Sequence, residues 1–162
     1  MMWQRSLIES CRDPDVAGRF IAAVASVLER DAHLLEVSCN ERAISHRLGL
    51  YMAELFPEWD VDCEYNRDGE RPKEIRIGSG DDGENGSRVL PDVIVHRRDS
   101  SNNHVVVEVK KDSNPEGNVR DVEKLRDYCD VLKYRHGVFV CFSVGRNRAG
   151  VARAHFVYGA TM

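Results

Sequence analysis

Pro91-Asp92-Val93-Ile94-Val95-His96-Arg97 and His104-Val105-Val106-Val107-Glu108-Val109-Lys110-Lys111 are the two stretches whose reading decides the fold. Each is rich in β-branched residues and bounded by turn formers, so the chain predicts strands over Val89–Arg97 and His104–Lys111. Asp99-Ser100-Ser101-Asn102-Asn103 between them suits a hairpin. Three polar side chains interrupt the apolar pattern. Asp92 directly follows Pro91, and Glu108 and Lys110 stand among valines. Side chains alternate along a strand, so Glu108 and Lys110 share a face, and hairpin pairing brings Asp92 beside them. Two carboxylates that close repel each other, and both stay ionised only with a cation between them. An oxygen-donor pair suits Mg²⁺ or Mn²⁺. The plainer alternative is a wet strand edge with a Glu108–Lys110 or Asp92–Lys110 ion pair.

On the N-terminal side, Val16, Phe20, Ile21, Val24, Val27 and Leu28 recur at helical spacing, which predicts a helix over Asp15–His33 started by Asp13-Pro14. Ser38-Cys39-Asn40-Glu41 reads as a capping box for a second helix that Pro57 ends. Glu41 is then in its first turn. Val61, Cys63 and Tyr65 alternate with polar residues as in a half-wet strand, and Glu74–Ile77 reads as a short edge strand. Gly78 to Ser87 is a glycine-rich loop. Gly83 and Asp92 fall where a calcium loop needs carboxylate and Glu, which argues against such a loop.

On the C-terminal side, Val122, Leu125, Cys129 and Leu132 mark one face of a helix over Asn118–Tyr134. Gly137–Val144 is nearly continuous apolar sequence, as in a strand covered on both faces. A last short strand is expected over Ala154–Tyr158. The predicted fold class is α/β: a central mixed sheet, made of a meander plus a crossover strand, flanked by α-helices. One domain over residues 1–162 is expected, with a core over 38–144 and the 15–33 helix packed on it.

With 23 Lys+Arg against 27 Asp+Glu, the net charge of −4 excludes a protein that coats nucleic acid by bulk charge. The longest apolar stretch, Phe20–Leu28, is too short to span a bilayer, and the N-terminus leads into Glu9, Arg12 and Asp13 rather than an apolar signal core. A cytoplasmic protein without membrane contact is expected. Its five cysteines lack any C-x-x-C pair and read as reduced, mostly buried small hydrophobes.

The half-motifs Pro91-Asp92 and Glu108-Val109-Lys110 lie sixteen positions apart, and together with the element order they resemble the PD-(D/E)XK nuclease superfamily, the restriction-endonuclease-like fold. The resemblance spans about Ser38 to Val144. It implies Mg²⁺- (or Mn²⁺-) dependent hydrolysis of DNA phosphodiesters, with RNA as a weaker substrate candidate. Asp92, Glu108 and the Val109 carbonyl would hold the metal, with Glu41 reaching it through water or completing a second site. Lys110 would position the attacking hydroxide. One branch of the family carries Gln-x-x-x-Tyr on the helix after the Lys strand. This chain departs from it with Lys124-Leu125-Arg126-Asp127-Tyr128, so Lys124 and Tyr128 are candidate substrate contacts. Packing is an equal reading for Tyr128. Arg97, at a hairpin end, is a further candidate for the nucleic-acid backbone. A homodimer is expected for duplex cleavage, which needs two sites. The alternative function is a catalytically inactive nuclease-fold protein that binds nucleic acid or protein.

Overall fold

A computed structural model describes residues 1–65, 74–75, 87–88, 90–114 and 118–160. The elements run α1 (Met2–Ser10), α2 (Pro14–Arg30), α3 (Ala32–Glu36), α4 (Glu41–Leu55), β1 (Asp60–Cys63), β2 (Glu74–Ile75), β3 (Ser87–Arg88), β4 (Val93–His96), β5 (Asn103–Lys111), α5 (Asn118–Val131), β6 (His136–Ser143) and β7 (Gly150–Val157). The fold is α/β, with a five-stranded sheet in the order β1-β4-β5-β6-β7. Strands β1, β4 and β5 form an antiparallel meander, α5 crosses over to make β6 parallel to β5, and β7 returns antiparallel.

Alternation divides the strands between two cores. Val93, Val95, Val105, Val107 and Val109 pack with Phe20, Val24, Ile44, Leu48 and Met52 of α2 and α4. Ile94, Val106, Phe139 and Cys141 face the other way, onto Leu125 and Tyr128 of α5. Glu108 and Lys110 share the parity of Val106 and so lie on the α5 face, in line with strand geometry.

Several boundaries differ from expectation for local reasons. The Asp13 carboxylate accepts from Asp15 N at 2.9 Å and Val16 N at 3.4 Å, which starts α2 at Pro14 as predicted. It ends at Arg30, short of His33, and Ala32–Glu36 turns separately. Ser38 is not the cap of α4: it sits at φ 53°, and Asn40 caps the helix by accepting from Ala43 N at 2.8 Å. Helix α1 was not anticipated. Only Trp3 and Leu7 of its residues are buried, and the Ser10 hydroxyl anchors its end by accepting from Phe156 N of β7 at 2.9 Å. β4 begins at Val93 rather than Val89. Ahead of it Glu64 N donates to the Pro91 carbonyl at 3.1 Å, so this segment is tied to β1 instead of extending the hairpin. Of the predicted 74–77 strand, Glu74–Ile75 pairs with Ser87–Arg88; the predicted loop between them lies outside the described residues. β7 is longer than its 154–158 forecast and begins at Gly150. All five cysteines are free, but only Cys141 is buried and Cys63 is exposed, contrary to the mostly buried expectation. Among the described residues no helix is long and apolar enough to cross a membrane.

Gly137 fixes how closely β6, β7 and α5 approach. A Cβ there would lie 2.8 Å from the Val157 carbonyl oxygen and 3.2 Å from Cys129 Sγ. The first contact is backbone and cannot swing aside. Gly137→Ala is therefore expected to cost about 1–3 kcal/mol, and to lower the melting temperature by roughly 5 °C in a thermal scan.

Candidate active site

The last β4–β5 pair is Val93↔Val107, whereas β5 stays paired with β6 as far as Lys111↔Phe142. The β4-side edge of β5 is thus open beyond Val107, and two carboxylates fill it. Asp92 Oδ2 accepts from Val109 N at 2.7 Å, and Glu41 Oε2 accepts from Lys111 N at 2.9 Å. The N–H and C=O of one strand residue point to the same side. The Val109 carbonyl is therefore directed to this edge, between the two N–H groups that Asp92 and Glu41 cap. That placement explains Pro91: it breaks the ladder, so the next side chain can stand where a strand neighbour would have been.

Glu108 projects from the same stretch onto the α5 face and is 4% exposed. Its Oε1 has no hydrogen-bond partner. The nearest cation is Lys124, with Nζ at 3.7 Å from that oxygen and 3.9 Å from Asp121 Oδ1. Lys110 points to α5 as well, with Nζ 3.2 Å from Asp121 Oδ2. Burial, and next the Asp92 charge, push the Glu108 carboxyl well above its ordinary range. Burial raises Asp92 too, against the opposing pull of the Val109 N–H, a hydrogen bond with the Glu108 carboxyl and the Lys124 charge, and Glu41 adds to the rise. Lys110 is raised: burial opposes its charge, but Asp121, Glu41 and Asp92 outweigh that. Tyr128 is fully buried on the next turn of α5. Burial, then the charge of Glu108 and its hydrogen bonding to the hydroxyl, push the phenol far up.

Asp92, Glu108, Lys110, Glu41, Lys124 and Tyr128 thus meet in one neighbourhood. Arg97 does not. It lies at the far end of β4 from Asp92, where its guanidinium stacks 4.6 Å over Trp59 and donates to the Glu58 carbonyl at 2.9 Å. The hairpin end uses it to cover an aromatic ring. Asp121 was missed. Its signal was present in the sequence, because Asp121, Lys124, Leu125 and Tyr128 fall at i, i+3, i+4 and i+7 on one helix face.

The donor set suits a hard divalent cation at two carboxylates: Glu108 Oε1 is buried with its nearest cation, Lys124, at 3.7 Å, and Asp92 beside it raises its pKa. Among the described residues no three His, Cys, Asp or Glu side chains have metal-holding geometry. Glu41 is accordingly not grouped with Asp92 and Glu108 in such an arrangement.

No family model and no curated protein matches the chain. Among solved structures, that of a protein called SSO0001 is similar over 85% of this chain and 62% of that one, with 16% sequence identity and a TM-score of 0.38. What the site does is therefore read from its own residues.

Proposed function

We infer that the chain is a Mg²⁺- or Mn²⁺-dependent nuclease that hydrolyses DNA phosphodiester bonds. One observation carries this reading: the hairpin sets the half-buried Asp92 beside the buried Glu108, so that burial and the Asp92 charge hold the Glu108 carboxyl well above its ordinary range. A fold has no structural need for such a pair, which costs stability until a cation neutralises it. Asp92, Glu108 and the Val109 carbonyl would hold the ion, with Glu41 behind a water. A divalent ion bound there makes water acidic enough to attack at neutral pH and neutralises phosphate oxygens.

The chain's own side chains do the rest. Lys110, restrained by Asp121, orients the attacking water and stabilises charge growing on the phosphoryl group. Lys124 faces the same space and offers a second cation to a phosphate oxygen. Tyr128 backs Glu108 and keeps its surroundings dry, which strengthens every charge interaction there.

A second reading is an inactive nuclease-fold module that binds nucleic acid or protein. It draws on the lack of a three-residue metal cluster among the described residues. One comparison separates the two. Wild type and Asp92→Ala are incubated with linear, circular and single-stranded DNA and with RNA, with and without Mn²⁺. The nuclease reading predicts cleavage of DNA only with the metal and only by wild type. Equal cleavage by both proteins, or none by either, contradicts it.

A further inference from the structure

On the opposite side of α5 from the carboxylates lies a cavity of about 290 Å³. Val122 of α5 and Phe139 of β6 line it, and Arg126, Arg153, Glu123 and His155 contribute its polar wall. Positions 119, 122, 123 and 126 fall on the helix face turned away from Asp121, Lys124 and Tyr128. The cavity and the carboxylate pair are therefore separated by one helix diameter, about 10 Å.

The chemistry of the walls is mixed in a specific way. Arg153 and Arg126 have no ion-pair partner among the described residues, and Arg153 lies 5.5 Å over the Phe139 ring. His155 tilts against Phe139 at 5.6 Å. Its pKa is lowered by burial and then by Arg153, so the site already disfavours added positive charge. Two guanidiniums against one carboxylate favour an anion. The apolar floor and the flat imidazole and guanidinium surfaces favour a ring stacked beside that anion. The volume is at the small end for ligand sites and suits one compact unit.

We propose that this cavity, between the flank of α5 and strands β6 and β7, binds a single nucleotide through its 5′-phosphate and base. The proposal rests on the nuclease reading for its substrate class. Its test does not, because binding is measured in EDTA without turnover.

The probe is deoxyadenosine 5′-monophosphate, titrated into the full chain by calorimetry and by ¹⁵N–¹H NMR. The expected result is binding in the millimolar range or tighter, with shifts at Val122, Phe139 and His155. Deoxyadenosine and inorganic phosphate each bind at least about tenfold more weakly. Arg153→Ala weakens nucleotide binding about tenfold or more, and Glu108→Gln leaves it unchanged. Arg126→Glu, on an exposed helix position, does the same as Arg153→Ala if the latter disturbs packing on Phe139. The proposal is overturned by the absence of nucleotide binding, by inorganic phosphate binding as tightly as the nucleotide, by indifference to Arg126→Glu, or by loss of binding in Glu108→Gln. Metal-dependent cleavage in a protein whose cavity fails these tests leaves the nuclease reading standing alone.

Discussion

In EDTA at pH 8, Glu108→Gln melts at a higher temperature than wild type, by roughly 5 °C. Glu108 is buried, one of its oxygens has no hydrogen-bond partner, and Asp92 repels it. The amide keeps the shape and removes the charge. Relief of an unsatisfied buried ionisable group is worth about 1–3 kcal/mol, and each kcal/mol moves the melting temperature by about 2–4 °C at this chain length. Adding Mn²⁺ reverses the order, because a ligand that binds only the native state stabilises the wild type and not the variant. A rise for both proteins with metal, or a lower melting temperature for the variant in EDTA, contradicts this account.

The pH dependence follows from the same shifts. Asp92 and Glu108 have native pKa values above their unfolded ones. Their protonated forms are favoured by folding, so the metal-free stability they allow is fully present at acid pH and falls as pH rises through the raised values. His136 acts in the opposite sense. Burial, with His104 beside it, lowers its pKa to about 4. The unfolded chain takes up that proton near pH 6.5, so stability is lost as pH falls from there towards 4. The two windows overlap between about pH 4 and 6.5, so there the opposing slopes offset each other in a plot of melting temperature against pH. Glu108→Gln removes part of the component that falls with rising pH, and His136→Phe removes the component that rises. Saturating Mn²⁺ also removes the falling component, since it fixes both carboxylates in their charged forms.

The second large effect is on turnover. Lys110→Ala is expected to lower kcat for Mn²⁺-dependent DNA cleavage by about 10²–10³-fold, the scale for removing one preorganised charge at a developing oxyanion. Asp121→Asn should act more weakly, by about tenfold, and differently. Asp121 touches Lys110 at 3.2 Å from helix α5 and is not one of the hairpin carboxylates that would hold the metal. It is a positioning residue, and it also raises the Lys110 pKa. Asp121→Asn therefore moves the alkaline limb of the kcat profile to lower pH, whereas Asp121→Glu restores it. Lower kcat with an unmoved pH profile would assign Asp121 a merely structural part.

The strands and their polarity were legible because period-2 alternation is strong in β4 and β5. Valines at 93, 95, 105, 107 and 109 could only face one core, which put Glu108 and Lys110 opposite. The crossover helix and the apolar β6 followed from equally plain patterns. Helix α1 was not legible, since two buried residues in nine give a weak periodic signal. The α4 cap was misplaced for a physical reason. Ser38 with Glu41 matches a capping box, but Glu41 spends a carboxylate oxygen on Lys111 N, seventy residues away, and Asn40 takes over the cap. No local rule sees that bond. The packing of Arg97 was not legible, because a basic residue at a hairpin end is compatible with solvent, phosphate or an aromatic face, and only the folded chain brings Trp59 under it. Asp121 could have been placed on the helix face of Lys124 and Tyr128 from its spacing, but its pairing with Lys110 joins two elements and shows only in the packed structure.

The central claim is that Asp92 and Glu108 together form a divalent-cation site. Calorimetric titration of the EDTA-stripped, re-buffered wild type with MnCl₂ at pH 7.5, beside the Asp92→Asn/Glu108→Gln double variant, tests it most directly. The account predicts one saturable site in wild type, with proton release that grows as the buffer is made more acidic, and no such site in the double variant. Identical titrations for the two proteins, or no saturable heat in wild type, would contradict it.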